Sequence, residues 1–157
     1  VSTQEWYLFG HLLGVFFLLA ATGLTTGAAI AAGRATAANT VVTLLDLQLR
    51  SERIVTSIGV ILAVVFGSLL VDEAGYSFGD AWISTAYTLI IIALALDHGV
   101  YLRRVKAARE LAVSLGNGPV TVELRDRLND GIARLVGIVL VLIWLVFLWL
   151  MIAKPGA

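Results

Sequence analysis

Four stretches of this chain are long enough and apolar enough to cross a bilayer, and that feature limits most of what the sequence can become. A helix crossing the hydrocarbon layer needs about 20 mostly apolar residues. Residues 6–33 (WYLFGHLLGVFFLLAATGLTTGAAIAAG), 54–71 (IVTSIGVILAVVFGSLLV), 81–102 and 132–153 come close to or exceed that length. Inside lipid every backbone donor and acceptor needs a protein partner, which leaves helices or a closed barrel. Four strands of this kind close no barrel. Hydrophobic residues make up 59% of the chain and charged residues 14%, against about 25% charged in a soluble domain. Too little polar surface remains to cover a globule in water. The expected fold is therefore all-α, a transmembrane four-helix bundle forming one integral membrane domain over 1–157.

Orientation follows from lysine and arginine, which accumulate on the cytoplasmic side of membrane segments. Arg34, Arg50 and Arg53 lie between the first and second spans. Arg103, Arg104, Lys106, Arg109, Arg125 and Arg127 lie between the third and fourth, with Arg134 just inside the fourth. These are ten of the chain's eleven basic residues. The other side carries Lys154 with Glu5, Asp72, Glu73 and Asp80. Both termini are expected outside and both long connections in the cytoplasm, the arrangement of a multi-pass protein of the cytoplasmic membrane. The leading VSTQE lacks a positive n-region, and the apolar run after it is too long for the core of a signal peptide. Trp6, Trp82 and Trp149 fall near the outer ends of their spans, as an aromatic belt predicts.

The two cytoplasmic connections read as helical. VKAARELAVSL holds no breaker, and GNGP (116–119) then supplies a turn, with the proline placed to begin another helix. Arms of about 35 residues, roughly 50 Å, outrun the ~30 Å hydrocarbon layer, so the hairpins should extend into the cytoplasm. In the first half GRATAANT (33–40) is the weak stretch. After it Val42, Leu45 and Leu49 share one helical face, with Asp46, Arg50 and Arg53 toward another. That amphipathic segment fits a hairpin arm and equally a helix lying flat on lipid. Beyond the turn at 116–119, Glu123 with Arg127 and Asp130 with Arg134 stand four apart, the spacing of helical ion pairs. Gly10 with Gly14, and Gly23 with Gly27, are GxxxG pairs suited to close helix packing.

Ionisable residues within a span are candidates for function. Three qualify: His11, Asp97 and His98. On a helix Asp97 and His98 point about 100° apart, which predicts no pair between them, while Tyr101, four residues on, can donate to Asp97. Counted from Trp6 and Trp82, the two imidazoles differ in depth by roughly 16 Å. That separation excludes one haem held by both, since each axial nitrogen must bond the same iron. A haem on His11 alone remains open. No cysteine is present, which excludes thiolate metal sites and disulfides. The chain carries no HExxH, Walker A, nucleophile–base or dinucleotide-loop motif, and no separate basic face for nucleic acid. No catalytic residue and no metal site is expected.

At YLFGHLLGVFFLLAATGLTTGAAIAAGRA (7–35), and again at YLRRVKAARELA (101–112), the chain resembles a family of small bacterial integral membrane proteins catalogued as a domain of unknown function. It is distantly similar to four-helix modules of the copper-resistance-D type and to HemJ-like haem-biosynthesis proteins. The points of likeness are His11 early in the first span, the glycine-rich remainder of that helix, and the basic exit of the third. The resemblance covers nearly the whole chain and implies a four-helix membrane module. The chain has one histidine in the comparable place and one methionine, Met151, so it carries the fold further than it carries copper or protoporphyrinogen chemistry.

Two functional expectations follow. The first is a non-catalytic membrane subunit that packs within a larger complex or with itself through its glycine face, with no cofactor. The second is a haem-binding or quinone-contacting module using His11, with Asp97, His98 and Tyr101 as a proton or quinone contact near the cytoplasmic surface.

Overall fold

Four helical rods account for nearly all of residues 2–156, which the computed structural model describes. The first is α1 (Thr3–Arg34). The second joins α2 (Ala38–Ser51) through a π-turn (Glu52–Thr56) to α3 (Ser57–Glu73). The third joins α4 (Ala81–Leu96) through a second π-turn (Asp97–Tyr101) to α5 (Leu102–Ser114). The fourth consists of α6 (Val122–Leu128) and α7 (Gly131–Ala153). All four are long and apolar enough to cross a membrane, and no strand occurs among the described residues.

Local chemistry explains the helix boundaries. Ser2 and Glu5 close a reciprocal capping box at the start of α1, meeting two donors that the helix itself leaves free. Thr121 caps α6 and Asp130 caps α7 through their side-chain oxygens. Asp130 does not pair with Arg134 as the spacing suggested. It accepts from the Ala133 amide and from Arg104, so the cap and a longer-range partner prevail over the i,i+4 contact. Glu123 and Arg127 do meet, at 3.3 Å.

The rods form two hairpins. In the first, α1 packs along α3 through glycines. A Cβ on Gly14 would run into the backbone of Ala63, and one on Gly59 would meet the Gly14 carbonyl at 3.0 Å. Gly10 lies against the Phe66 ring, and Gly67 against the His11 imidazole. Gly23 and Gly27 have no heavy atom within 4 Å of where a Cβ would stand. Within this chain that second GxxxG pair packs on nothing, contrary to the simplest use of such spacing.

The hairpins join at the end that carries the basic residues. There α2 packs on α5, and Ala32, Ala38, Val41, Leu45, Val105, Ala108, Ala112 and Leu124 form a continuous core. The amphipathic segment α2 packs on α1 and α5 and continues through the π-turn into α3 as one rod. Its buried face is Val41, Leu45 and Gln48, with Val42 and Leu49 only partly covered. The hairpin tips are stitched by backbone bonds from Ala38 to Gly118 and from Val120 to Thr36. The Arg125 guanidinium donates to the Gly33 and Ala35 carbonyls at the end of α1, where unmet carbonyls favour a cation. Asp46 accepts both arms of Arg109 across the α2–α5 seam.

A smaller core closes the opposite end around Val71, Trp82, Ile83, Ala86 and Leu150. Trp82 is buried there, edge-on to Tyr76 and under the Lys154 ammonium. It is a core residue, whereas Trp6 and Trp149 are exposed as a belt requires. Lys154 also donates to the Tyr76 hydroxyl. Both ends of the described chain and the 74–80 connection lie at this end.

Candidate functional site

Both rods that contain a π-turn place it at the same level, where apolar helix gives way to polar helix. In a π-turn the backbone bond spans five residues, so the Leu102 amide reaches back to the Asp97 carbonyl. Such turns insert a residue into the helical ladder and recur at functional sites.

Around the second turn Asp97 points into the bundle and His98 points out, their side chains 12% and 63% exposed. The pair nevertheless meets, His98 Nδ1 lying 3.3 Å from Asp97 Oδ2. The two are neighbours at that distance without a hydrogen bond between them. Tyr101 departs from expectation. Its hydroxyl accepts a 2.7 Å bond from Gln48 Nε2 on α2, so its partner in the structure is the amide and not Asp97. The edge of its ring faces Gly137 of α7, 4.0 Å from where a Cβ would stand.

The first turn supplies Glu52, which lies within electrostatic reach of Asp97, His98 and Tyr101. The Gln48–Tyr101 bond joins the two rods here, with Glu52 and Asp97 at the starts of the two π-turns beside it. Three buried polar atoms in this region, Gln48 Oε1, Ser51 Oγ and Asp97 Oδ2, find no hydrogen-bond partner among the described residues. A buried polar atom left unmatched costs about 1–3 kcal/mol, and three so close together mark the least self-sufficient part of the bundle. Gln48 and Glu52 were legible in the sequence only as part of a charged helix face. Their four-residue spacing within QLRSE was the available signal.

His11 belongs to a different place. Its Nδ1 lies 2.8 Å from the Ala63 carbonyl, an assignment that puts the proton on Nδ1 and the lone pair on Nε2. Ala63 is eleven residues along the second rod from Glu52, about 16 Å at 1.5 Å per residue. The two imidazoles therefore occupy separate levels. His11 offers a single nitrogen inside the α1–α3 seam, and no trio of His, Cys, Asp or Glu among the described residues is grouped to hold a metal.

The family model described as "Predicted integral membrane protein (DUF2269)" matches residues 6–155. The chain belongs to that family. The match runs through all four rods and both π-turns, so the DUF2269 assignment applies to the whole architecture and identifies an integral membrane protein with four spans. Comparison with curated proteins and with solved structures finds no match for this DUF2269 chain.

Proposed function

We propose that this DUF2269 protein is a proton-exchanging membrane module. Asp97 and Glu52 hold the proton, His98 connects them to water, and the Gln48–Tyr101 bond keeps the two rods in register. The observation that carries this reading is the convergence of two acids, an imidazole and unpartnered buried polar atoms on paired π-turns. Two carboxylates near one another in a desolvated site do not both ionise freely, and an adjacent exposed imidazole is suited to relay a proton to solvent. The basic end faces the cytoplasm of a bacterial inner membrane, by the lysine and arginine asymmetry, so the exchange takes place at the inner surface. Counting protons taken up by the purified protein in nanodiscs across a pH titration tests this. The wild type should bind one that Asp97→Asn does not, and identical titrations would refute the reading.

A second reading is favoured by one observation, the open space beside Gly23 and Gly27. With Leu19, Leu24 and Ile30 exposed around them, they give α1 a thin face at bilayer depth, suited to a neighbouring helix. In this reading the protein is a subunit that docks through α1. Because the chain is free of cysteine, a single cysteine at position 27 permits crosslinking in intact membranes. A crosslinked pair supports docking and an uncrosslinked monomer ends it. A haem on His11 would show as a Soret band that His11→Ala removes.

A further inference from the structure

We propose that the groove between α2 and α5 at the basic end binds the headgroup of an anionic phospholipid. The groove encloses about 300 Å³ and is lined by Arg50, Arg53, Lys106, Arg109, Asp46 and Glu110 among others. Arg109 is occupied by Asp46. Arg50, Arg53 and Lys106 are exposed and enter no ion pair among the described residues. Three uncommitted cations therefore surround one concavity.

Depth points to lipid as the occupant. The apolar part of the second rod begins at Ile54 and that of the third ends at Leu102. Counting along the helices, Arg53 stands about 1.5 Å from that boundary, and Arg50 and Lys106 about 6 Å. The headgroup layer on each side of the hydrocarbon is roughly 5–8 Å thick, so all three cations lie within it. In line with Arg50, Ile54 of the π-turn and Ile58, Ile61 and Val65 of α3 are exposed at helical spacing. A phosphodiester seated on the arginines would send its acyl chains down this aliphatic ridge. A soluble anion would gain nothing from the ridge. Arginine offers paired donors that match phosphate oxygens, and basic pockets of this kind between membrane helices are suited to anionic headgroups.

The second basic groove differs. It is lined by Arg103, Arg104, Arg127 and Asp130, but Arg104 is held by Asp130 and Arg127 by Glu123. Arg103 is thus a control position.

Thermal stabilisation of the detergent-purified protein tests the proposal, with short-chain phosphatidylglycerol, short-chain phosphatidylcholine and inorganic phosphate as probes. Phosphatidylglycerol should stabilise saturably, and neither phosphatidylcholine nor phosphate should match it at equal concentration. Replacing Arg50, Arg53 and Lys106 together by glutamine should weaken phosphatidylglycerol about a hundredfold, from roughly one factor of five per charge. Lys106→Gln alone should weaken it about fivefold, and Arg103→Gln should leave it unchanged. The single exposed substitution keeps the test decisive if the triple variant does not fold. Equal stabilisation of wild type and Lys106→Gln by phosphatidylglycerol overturns the proposal. A response to phosphate as large as that to the lipid also overturns it, by assigning the groove to a free anion.

Discussion

Gln48 donates its side-chain amide to the Tyr101 hydroxyl at 2.7 Å, joining the two rods that carry the π-turns. The amide is 1% exposed, so water cannot replace the tyrosine. Tyr101→Phe should destabilise the folded protein by about 1–3 kcal/mol, the cost of a buried donor left unmet. Adding Gln48→Leu should recover part of the loss, because removing both partners removes the unmet donor as well. Thermal unfolding in detergent, compared across the two single variants and the double, measures this.

The four glycines of α1 singled out by spacing should behave as two classes. Gly14→Leu forces a side chain into the Ala63 backbone, and overpacking of this kind costs about 1–3 kcal/mol or more. Gly10→Leu meets the Phe66 ring, 2.5 Å from the first added carbon, and should destabilise less, because an aromatic side chain can shift. Gly23→Leu and Gly27→Leu should leave monomer stability within about 0.5 kcal/mol of wild type. Equal losses at Gly14 and Gly27 would contradict the packing described.

The Asp46–Arg109 bridge gives a pH dependence of known sign. Asp46 lies in the polar extension, and its hydrogen bond from Arg109 holds its carboxyl below the usual carboxylate range. A group depressed on folding contributes stability that is present above its unfolded value, about 3.9, and is lost as pH falls through its folded value. Wild type should therefore be more stable than Asp46→Asn at neutral pH, and the difference should shrink to nothing in strong acid. Both side chains are about one-third exposed, so the gap should be small and should narrow further with salt.

Membrane orientation is open to direct labelling, since the chain contains no cysteine. Single cysteines replacing Arg34 and Arg109 should react with a membrane-impermeant reagent from the same side, the cytoplasmic one. A cysteine replacing Glu73 should react from the other. Labelling of positions 34 and 109 from opposite sides would break the hairpin arrangement.

The four rods were legible because bilayer thickness writes itself into the sequence as apolar length. Gly10 and Gly14 announced themselves by spacing, yet Gly59, which faces Gly14, and Gly67, which faces His11, did not, standing eight apart in a mostly apolar run. The polar cluster was half legible. Asp97 and His98 stood out within an apolar run, while Gln48 and Glu52 were hidden in a segment whose charges read as a solvated face. Gln48 faces inward in regular helical phase with Val41 and Leu45, and nothing in QLRSERIVT or ALDHGVYLRR distinguishes a π-turn from ordinary helix. Contacts between rods, such as Gln48 with Tyr101, join residues 53 apart and leave no local pattern.

The central claim is that Glu52 and Asp97 form one proton-holding site beside His98. Infrared spectroscopy of the protein in lipid nanodiscs, followed through a pH titration, reads carboxyl protonation most directly. The account predicts a carboxyl band that titrates, disappears in Asp97→Asn, and changes its midpoint in both Glu52→Gln and His98→Gln. A spectrum in which Asp97→Asn retains the wild-type band, at every pH, would contradict it.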